Sequence, residues 1–402
     1  MKTSLKYLAA GALLAAALVD NANAIPAFAR QTGLNCSACH TVFPELTQTG
    51  RDFKLHGYTT EGGDTSLASK FAAMIQVTST MNKHSTAADH ALKIPQSSIF
   101  FGGKITDHVG AFVQTTLDDA GIFGADNMDF RYANSTKAKG MFIDYGFTVN
   151  NSPTVQDLWN STSAWGYPYA GGVNNGGTKL DGLDNVVGLG AYAMWNNWLY
   201  TEFDAYKGSK ASGLLNVFHF STDTAANIKD IGGAGYDYAD GISPYARIAL
   251  QHNFGDNYVM VGAQYLRSKV IGHYYDPTPD AAVTYKDHAF DAEWQYNHGD
   301  HLITAQASKT WETQSGGATD KLETNKAKIS YFYKQKYGIT LDYVSDSLNS
   351  ATQNAGTTVQ FDYVPTEKIR LAAQFNNYTK FGGTSVGASD NNNVFLIGWF
   401  MF

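Results

Sequence analysis

The chain of 402 residues holds two cysteines, Cys36 and Cys39, and His40 follows the second directly. Cys-x-x-Cys-His is the spacing for covalent attachment of one haem. The two thiols add across its two vinyl groups, and the adjacent imidazole lies beneath the iron as proximal ligand. Thioredoxin-like redox pairs share the Cys-x-x-Cys spacing but open a helix after a strand in a βαβ unit. The flanks Thr32-Gly33-Leu34-Asn35 and Thr41-Val42-Phe43-Pro44 show no such unit. A small disulfide loop is the other alternative. The motif therefore points to one covalent haem c, with Cys36, Cys39 and His40 binding the cofactor and His40 ligating its iron. His56, in Lys54-Leu55-His56-Gly57-Tyr58, is the nearest candidate for the distal iron ligand, against a plain solvated histidine, and Met74 and Met81 are further possibilities.

These residues need a scaffold, and their own neighbourhood is too small to supply it. Residues 25–66 form an expected c-type haem domain, yet roughly forty residues rarely fold without a staple or a partner surface. The rest of the chain, residues 67–402, is expected to shelter the haem, with the small domain plugging it. Residues 1–24 read as a signal peptide: Lys2 and Lys6, an Ala- and Leu-rich run from Leu8 to Val19, and Ala22-Asn23-Ala24 before a cut at Ile25. That run is too short to span a bilayer as a helix, so the mature chain is expected to be exported.

Composition narrows the class of the larger region. The chain is 44% hydrophobic, 13% aromatic and 16% charged, with 39 glycines and a formal net charge of -7. A slightly negative mean hydropathy excludes a helical membrane bundle. Abundant Tyr, Phe and Trp argue against disorder, and the acidic balance leaves no basic footprint for nucleic acid. A chain poor in charge, rich in Gly and Tyr and lacking long apolar runs matches a transmembrane β-barrel.

Period-two alternation supports this class. From Asp287 to Asn297, His288, Phe290, Ala292, Trp294 and Tyr296 alternate with Asp287, Asp291, Glu293 and Gln295. The same pattern runs through Ile369, Leu371, Ala373 and Phe375, and through Ala327, Ile329, Tyr331 and Tyr333. A soluble sandwich is the minor alternative. The segments number about sixteen. Connections after even segments are expected to be tight and those after odd segments longer, the parity of an outer-membrane barrel with short periplasmic turns, long outer loops and a periplasmic N-terminus. The aromatic tail from Val394 to Phe402 looks like the C-terminal assembly signal of such barrels. About sixteen strands would enclose a lumen wide enough for water.

The residues Ile25-Pro26-Ala27-Phe28-Ala29-Arg30-Gln31-Thr32-Gly33, the motif Cys36-Ser37-Ala38-Cys39-His40, and the stretches Pro44 to Thr47, Gly50 to Lys54 and Gly57-Tyr58 together resemble the fused outer-membrane monohaem cytochrome-porins of iron-oxidising bacteria. The resemblance covers about one-tenth of the chain at motif level, and the barrel agrees in type and length. It implies an iron(II) oxidase in which one haem within or beneath the barrel passes electrons from extracellular iron(II) to a periplasmic carrier such as a cytochrome. Lumen-facing Asp144, Asp204, Asp291, Glu293 and Asp342, and an outer loop with Asp118, Asp119, Asp126 and Asp129, could concentrate a dication; the plain alternative is a wetted polar wall. His298 and His301, on an expected periplasmic turn, read as solvated. Two other functions stay open: a diffusion or substrate porin with an accessory haem domain, and an electron conduit for a partner other than iron(II).

Overall fold

The protein is described here from a computed structural model covering residues 27–41, 43–84, 91–119, 121, 123–165, 170–173, 176–209, 237–272, 279–316 and 320–402. The expected signal peptide lies outside these residues. The period-two segments form strands β1 (Phe71–Asn82), β2 (Lys93–Thr106), β3 (Val109–Asp118), β4 (Phe123–Ala138), β5 (Met141–Asn150), β6 (Val186–Trp195), β7 (Leu199–Gly208) and β8 (Ile242–Phe254). The remainder are β9 (Asn257–Ile271), β10 (Val283–His298), β11 (His301–Ser315), β12 (Lys321–Tyr333), β13 (Tyr337–Leu348), β14 (Ala351–Thr366), β15 (Ile369–Lys380) and β16 (Asn393–Met401). Each pairs antiparallel with its sequence neighbours, and β1 pairs with both β2 and β16, closing an outer-membrane β-barrel. Ala73 and Phe402 exchange backbone hydrogen bonds of 3.1 and 2.8 Å at the seam. A two-residue strand, Tyr238–Ala239, joins β9 at its end.

The expected faces are present. Phe290 is 59% exposed on the outer wall, while Asp287, Asp291 and Glu293 of the same strand are buried inside. Apolar side chains outside and polar ones inside suit a barrel set in lipid. Tight turns such as Gly299-Asp300 gather at one end, together with the start of β1 and the end of β16. We call this the turn face and the opposite end the loop face. One connection departs from the expected parity: β13 and β14 run on to a two-residue turn, Asn349-Ser350, with φ of 52° and 70°. A left-handed pair at this position makes a tight hairpin where a longer loop was expected.

The lumen is not an open aqueous channel, because two segments fill it. From the turn face enter α1 (Ala27–Thr32), α2 (Cys36–Cys39) and α3 (Gln48–Leu55), the last begun by Thr47, whose hydroxyl accepts from the Gly50 N–H. From the loop face, residues 151–165, 170–173 and 176–185 lie inward, with short helices α4 (Pro153–Gln156), α5 (Thr162–Trp165) and α6 (Lys179–Gly182). Leu55 of the plug and Leu158 and Trp159 of the inserted loop share one buried cluster with Tyr192, Tyr200 and Tyr258 of the wall. The two segments meet where the Lys54 ammonium donates to the Asp157 carbonyl at 2.7 Å and to Asn160 Oδ1 at 2.9 Å.

Candidate functional site

The cysteine motif forms a single helical turn. His40 N–H donates to the Cys36 carbonyl at 2.9 Å, and the chain turns back so that Thr47 N–H donates to the Cys39 carbonyl at 2.9 Å. Gly50 allows α3 to cross beneath this turn, since a Cβ there would lie 2.2 Å from the Cys39 carbonyl oxygen. Two wall turns hold α2 at the rim of the turn face: Glu367 Oε2 accepts from the Cys36 N–H at 3.3 Å, and the Gln335 amide donates to the Ser37 carbonyl at 3.0 Å. Glu45 carries the next layer. Its carboxylate accepts from the Thr41 hydroxyl at 3.0 Å and pairs with Lys328 of β12.

The donor set fits a haem c. Both thiols are half-buried, free and on one turn. His40 Nδ1 lies 3.2 Å from the Glu45 carbonyl, an orientation that leaves Nε2 for a metal. Desolvation pulls the imidazole down to about 4, so the ring is neutral, the form that ligates iron. Burial, then the nearby Glu367 carboxylate and Cys39, push the Cys36 thiol up to about 12. A thioredoxin-like pair depends on the opposite shift. Beside His40, Phe43 sits 5.5 Å away and packs edge-on against Trp399 of β16 at 4.7 Å. A cleft opens there, lined by Phe43, Gln360, Arg370, Gln374, Ile397 and Trp399 among others.

His56, the expected distal ligand, stands at the other end of α3 from the cysteine turn. It caps α3, whose end lies against β4 and β5, whereas α2 lies by the turns that begin β13 and β15. Its Nδ1 is 2.8 Å from the Asp52 carbonyl and its Nε2 3.1 Å from Asp144 of β5. Both ring nitrogens are therefore engaged. Met74 lies on the wall nearer His40, buried and inward, its sulfur accepting from the Trp399 indole. Met81 stands at the far end of β1, towards the loop face. His298 and His301 are exposed at the turn face as expected, beside Asp256 at 2.7 Å and the Tyr331 hydroxyl at 2.8 Å.

The lumen carboxylates all face inward and are buried, and several have basic partners. Asp291 pairs with Arg247 at 2.8 Å and Glu293 with plug residue Arg51 at 3.6 Å. Asp126 and Asp129 belong to β4 rather than to an outer loop, because that strand begins at Phe123. Asp129 is fully buried and pairs with Arg131 at 2.6 Å. Sequence reading missed the basic partners Arg51, Lys54, Arg131 and Arg247. Their one visible signal was a lone base at an inward position of an alternating strand, as at Arg131 and Arg247. Burial, then Arg131, lower the plug ammonium of Lys54 to about 7. Among the described residues no three His, Cys, Asp or Glu side chains converge as a metal cluster.

No known protein family matches the chain, and no curated protein matches it. Solved structures do. The outer-membrane channel DcaP of Acinetobacter baumannii is similar over 83% of this chain and 96% of its own, at 13% identity and a TM-score of 0.50. A loop L8 deletion mutant of the outer-membrane protein OmpT of Vibrio cholerae is similar over 83% and 98%, at 15% identity and a TM-score of 0.48. An anion-selective porin from Comamonas acidovorans covers the same shares at 10% identity and a TM-score of 0.48. The likeness to DcaP agrees with the fold described above, that of an outer-membrane, porin-like β-barrel.

Proposed function

We propose that this barrel is a cytochrome-porin that binds one haem c and oxidises extracellular iron(II), delivering the electron to a periplasmic carrier, with its turn face and N-terminus on the periplasmic side. The observation that carries the reading is the seat of Cys36-x-x-Cys39-His40: one helical turn, pinned at the mouth of a filled barrel, with His40 oriented by a backbone carbonyl. Cys36 and Cys39 would hold the haem and His40 its iron. Bound there, a haem supplies one-electron chemistry at its iron. Glu45 fixes His40 through its carbonyl and is itself fixed by Thr41 and Lys328. Phe43 and Trp399 give that side of the mouth an apolar surface that keeps water from His40. Iron(II) as donor rests on the resemblance to the cytochrome-porins. The filled lumen argues against solute diffusion, the second reading, which fits porin-like barrels with open lumens.

The test is to mix anaerobic, oxidised protein with iron(II) and follow its haem bands by stopped flow. The reading expects fast reduction, with the colour retained on the polypeptide after acid-solvent extraction and lost in a Cys36→Ser, Cys39→Ser double variant. Reduction by a small artificial donor but not by iron(II) would leave a conduit for another partner. Haem that washes out of the wild type would end the reading.

A further inference from the structure

The outer wall carries a row of cations at one height. Arg267 of β9 stands directly opposite Lys286 of β10, Lys286 opposite Thr313 of β11, and Thr313 opposite Lys321 of β12. All four are exposed, while their strand neighbours Leu266, Asp287, Glu312 and Leu322 are buried on the inner face. Neighbouring strands lie about 4.8 Å apart, so the row is about 14 Å long. Like charges opposite each other across a sheet are unfavourable unless something neutralises them.

The acids at this end of the wall are engaged elsewhere. Asp240 holds Lys269 at 2.7 Å, Glu323 holds Lys309 at 3.3 Å, and Asp320 accepts from the Asn349 amide at 2.9 Å. Among the described residues Arg267, Lys286 and Lys321 have no acidic partner. The depth of the row shows what surrounds it. One step towards the turn face, Tyr265, His288 and Trp311 stand opposite one another across β9, β10 and β11, and a step further Phe290 is exposed. Aromatic residues at the edge of an apolar band mark the boundary between membrane and water, so the cations lie just beyond it, level with lipid head groups. The turn-face halves of the same four strands put no Lys or Arg on the outer wall, so the charge faces one leaflet.

We infer that Arg267, Lys286 and Lys321, with the Thr313 hydroxyl between them, bind the phosphorylated sugar head of an outer-leaflet glycolipid of the lipid A class, whose acyl chains lie on the apolar wall beneath. Arg meets phosphate oxygens with paired N–H groups and Lys supplies a point charge. Three cations in a row suit a head group bearing more than one phosphate, whereas phosphatidylglycerol carries one. The inference rests on the proposed orientation, with the loop face outward, and uses nothing about haem or iron.

The experiment incubates the purified full-length barrel in detergent with diphosphorylated lipid A, with the same lipid stripped of phosphate, with phosphatidylglycerol or with inorganic pyrophosphate, and reads what stays bound by native mass spectrometry. The wild type is expected to retain lipid A in preference to the other three. In Arg267→Gln, Lys286→Gln, Lys321→Gln that retention weakens about tenfold or more, the equivalent of one lost charge-assisted hydrogen bond. If the triple variant does not fold, Lys286→Glu alone, at the middle of the row, is expected to weaken retention likewise. Equal retention of lipid A by a folded variant would overturn the site. Equal retention of the phosphate-free lipid, of phosphatidylglycerol or of pyrophosphate would overturn the assigned ligand in favour of apolar contact, any anionic lipid or a free phosphate. Orientation is read separately, by an epitope inserted after Val386 in the connection between β15 and β16. Antibody reaches it on intact cells if the loop face is outward, and an inaccessible epitope would overturn the outer leaflet as the source even where lipid A binds.

Discussion

The guanidinium of Arg51, on plug helix α3, lies 3.6 Å from the carboxylate of Glu293 on β10 and 3.7 Å over the ring of Tyr258 on β9. Both charged side chains are almost wholly buried, so this pair ties the plug to the wall in a medium that penalises an unpaired charge. Glu293→Ala is expected to cost about 3–5 kcal/mol, the range for removing one partner of a buried pair. Adding Arg51→Met should recover most of that loss. The temperature at which the folded band converts in detergent gels reads both effects, and a Glu293→Ala protein as stable as the wild type would contradict the pairing.

His56 gives a pH dependence whose sign follows from its partner. Its hydrogen bond to Asp144, opposed by partial burial, raises its pKa above the ordinary histidine value. The stability it contributes is therefore fully present below about pH 6.5 and is lost as pH rises through the raised folded value. Asp144→Asn should flatten that part of the stability curve. His56→Ala should do the same while leaving the spectrum of the covalent haem unchanged, because both ring nitrogens face protein. A shifted haem spectrum in His56→Ala would return this residue to the iron.

Closure from both ends predicts little ion flow. In planar bilayers the full-length chain should show conductance near background, and a chain lacking residues 27–66 and 153–183 should conduct as an open barrel. Equal conductance of the two would mean that plug and loop leave a path between them.

The wall was legible in the sequence because a strand writes its two environments into alternate residues. Phe290 meets lipid, Asp291 meets the interior, and sixteen segments followed from that rule. The attachment motif was legible because its chemistry is local: Cys36, Cys39 and His40 need only each other and one turn of helix. The filling of the lumen was not. Trp159 packs with Tyr200 and Tyr258, and Lys54 meets Asp157, across chain separations that no periodic pattern records. The same blindness made Asp129 read as an outer-loop acid, whereas its partner Arg131 lies two residues along the same strand. The hairpin at Asn349-Ser350 was missed because neither left-handed position carries the glycine that marks such turns.

Anchoring of His40 gives a further expectation. Glu45→Ala removes the acceptor of Thr41 and the partner of Lys328, so the loop that aims His40 should loosen while the thiols remain. The covalent haem should persist, and its absorption bands should shift as its iron loses a fixed imidazole. Unaltered bands would show that Glu45 does not position His40.

The most direct measurement of the central claim places the protein in vesicles with its loop face outward and a soluble c-type cytochrome trapped inside. Anaerobic iron(II) is then added outside. The account predicts that the trapped cytochrome becomes reduced with the wild type and stays oxidised with a His40→Ala variant that still assembles. Reduction that is equal in both, or absent in the wild type despite a covalent haem, would contradict it.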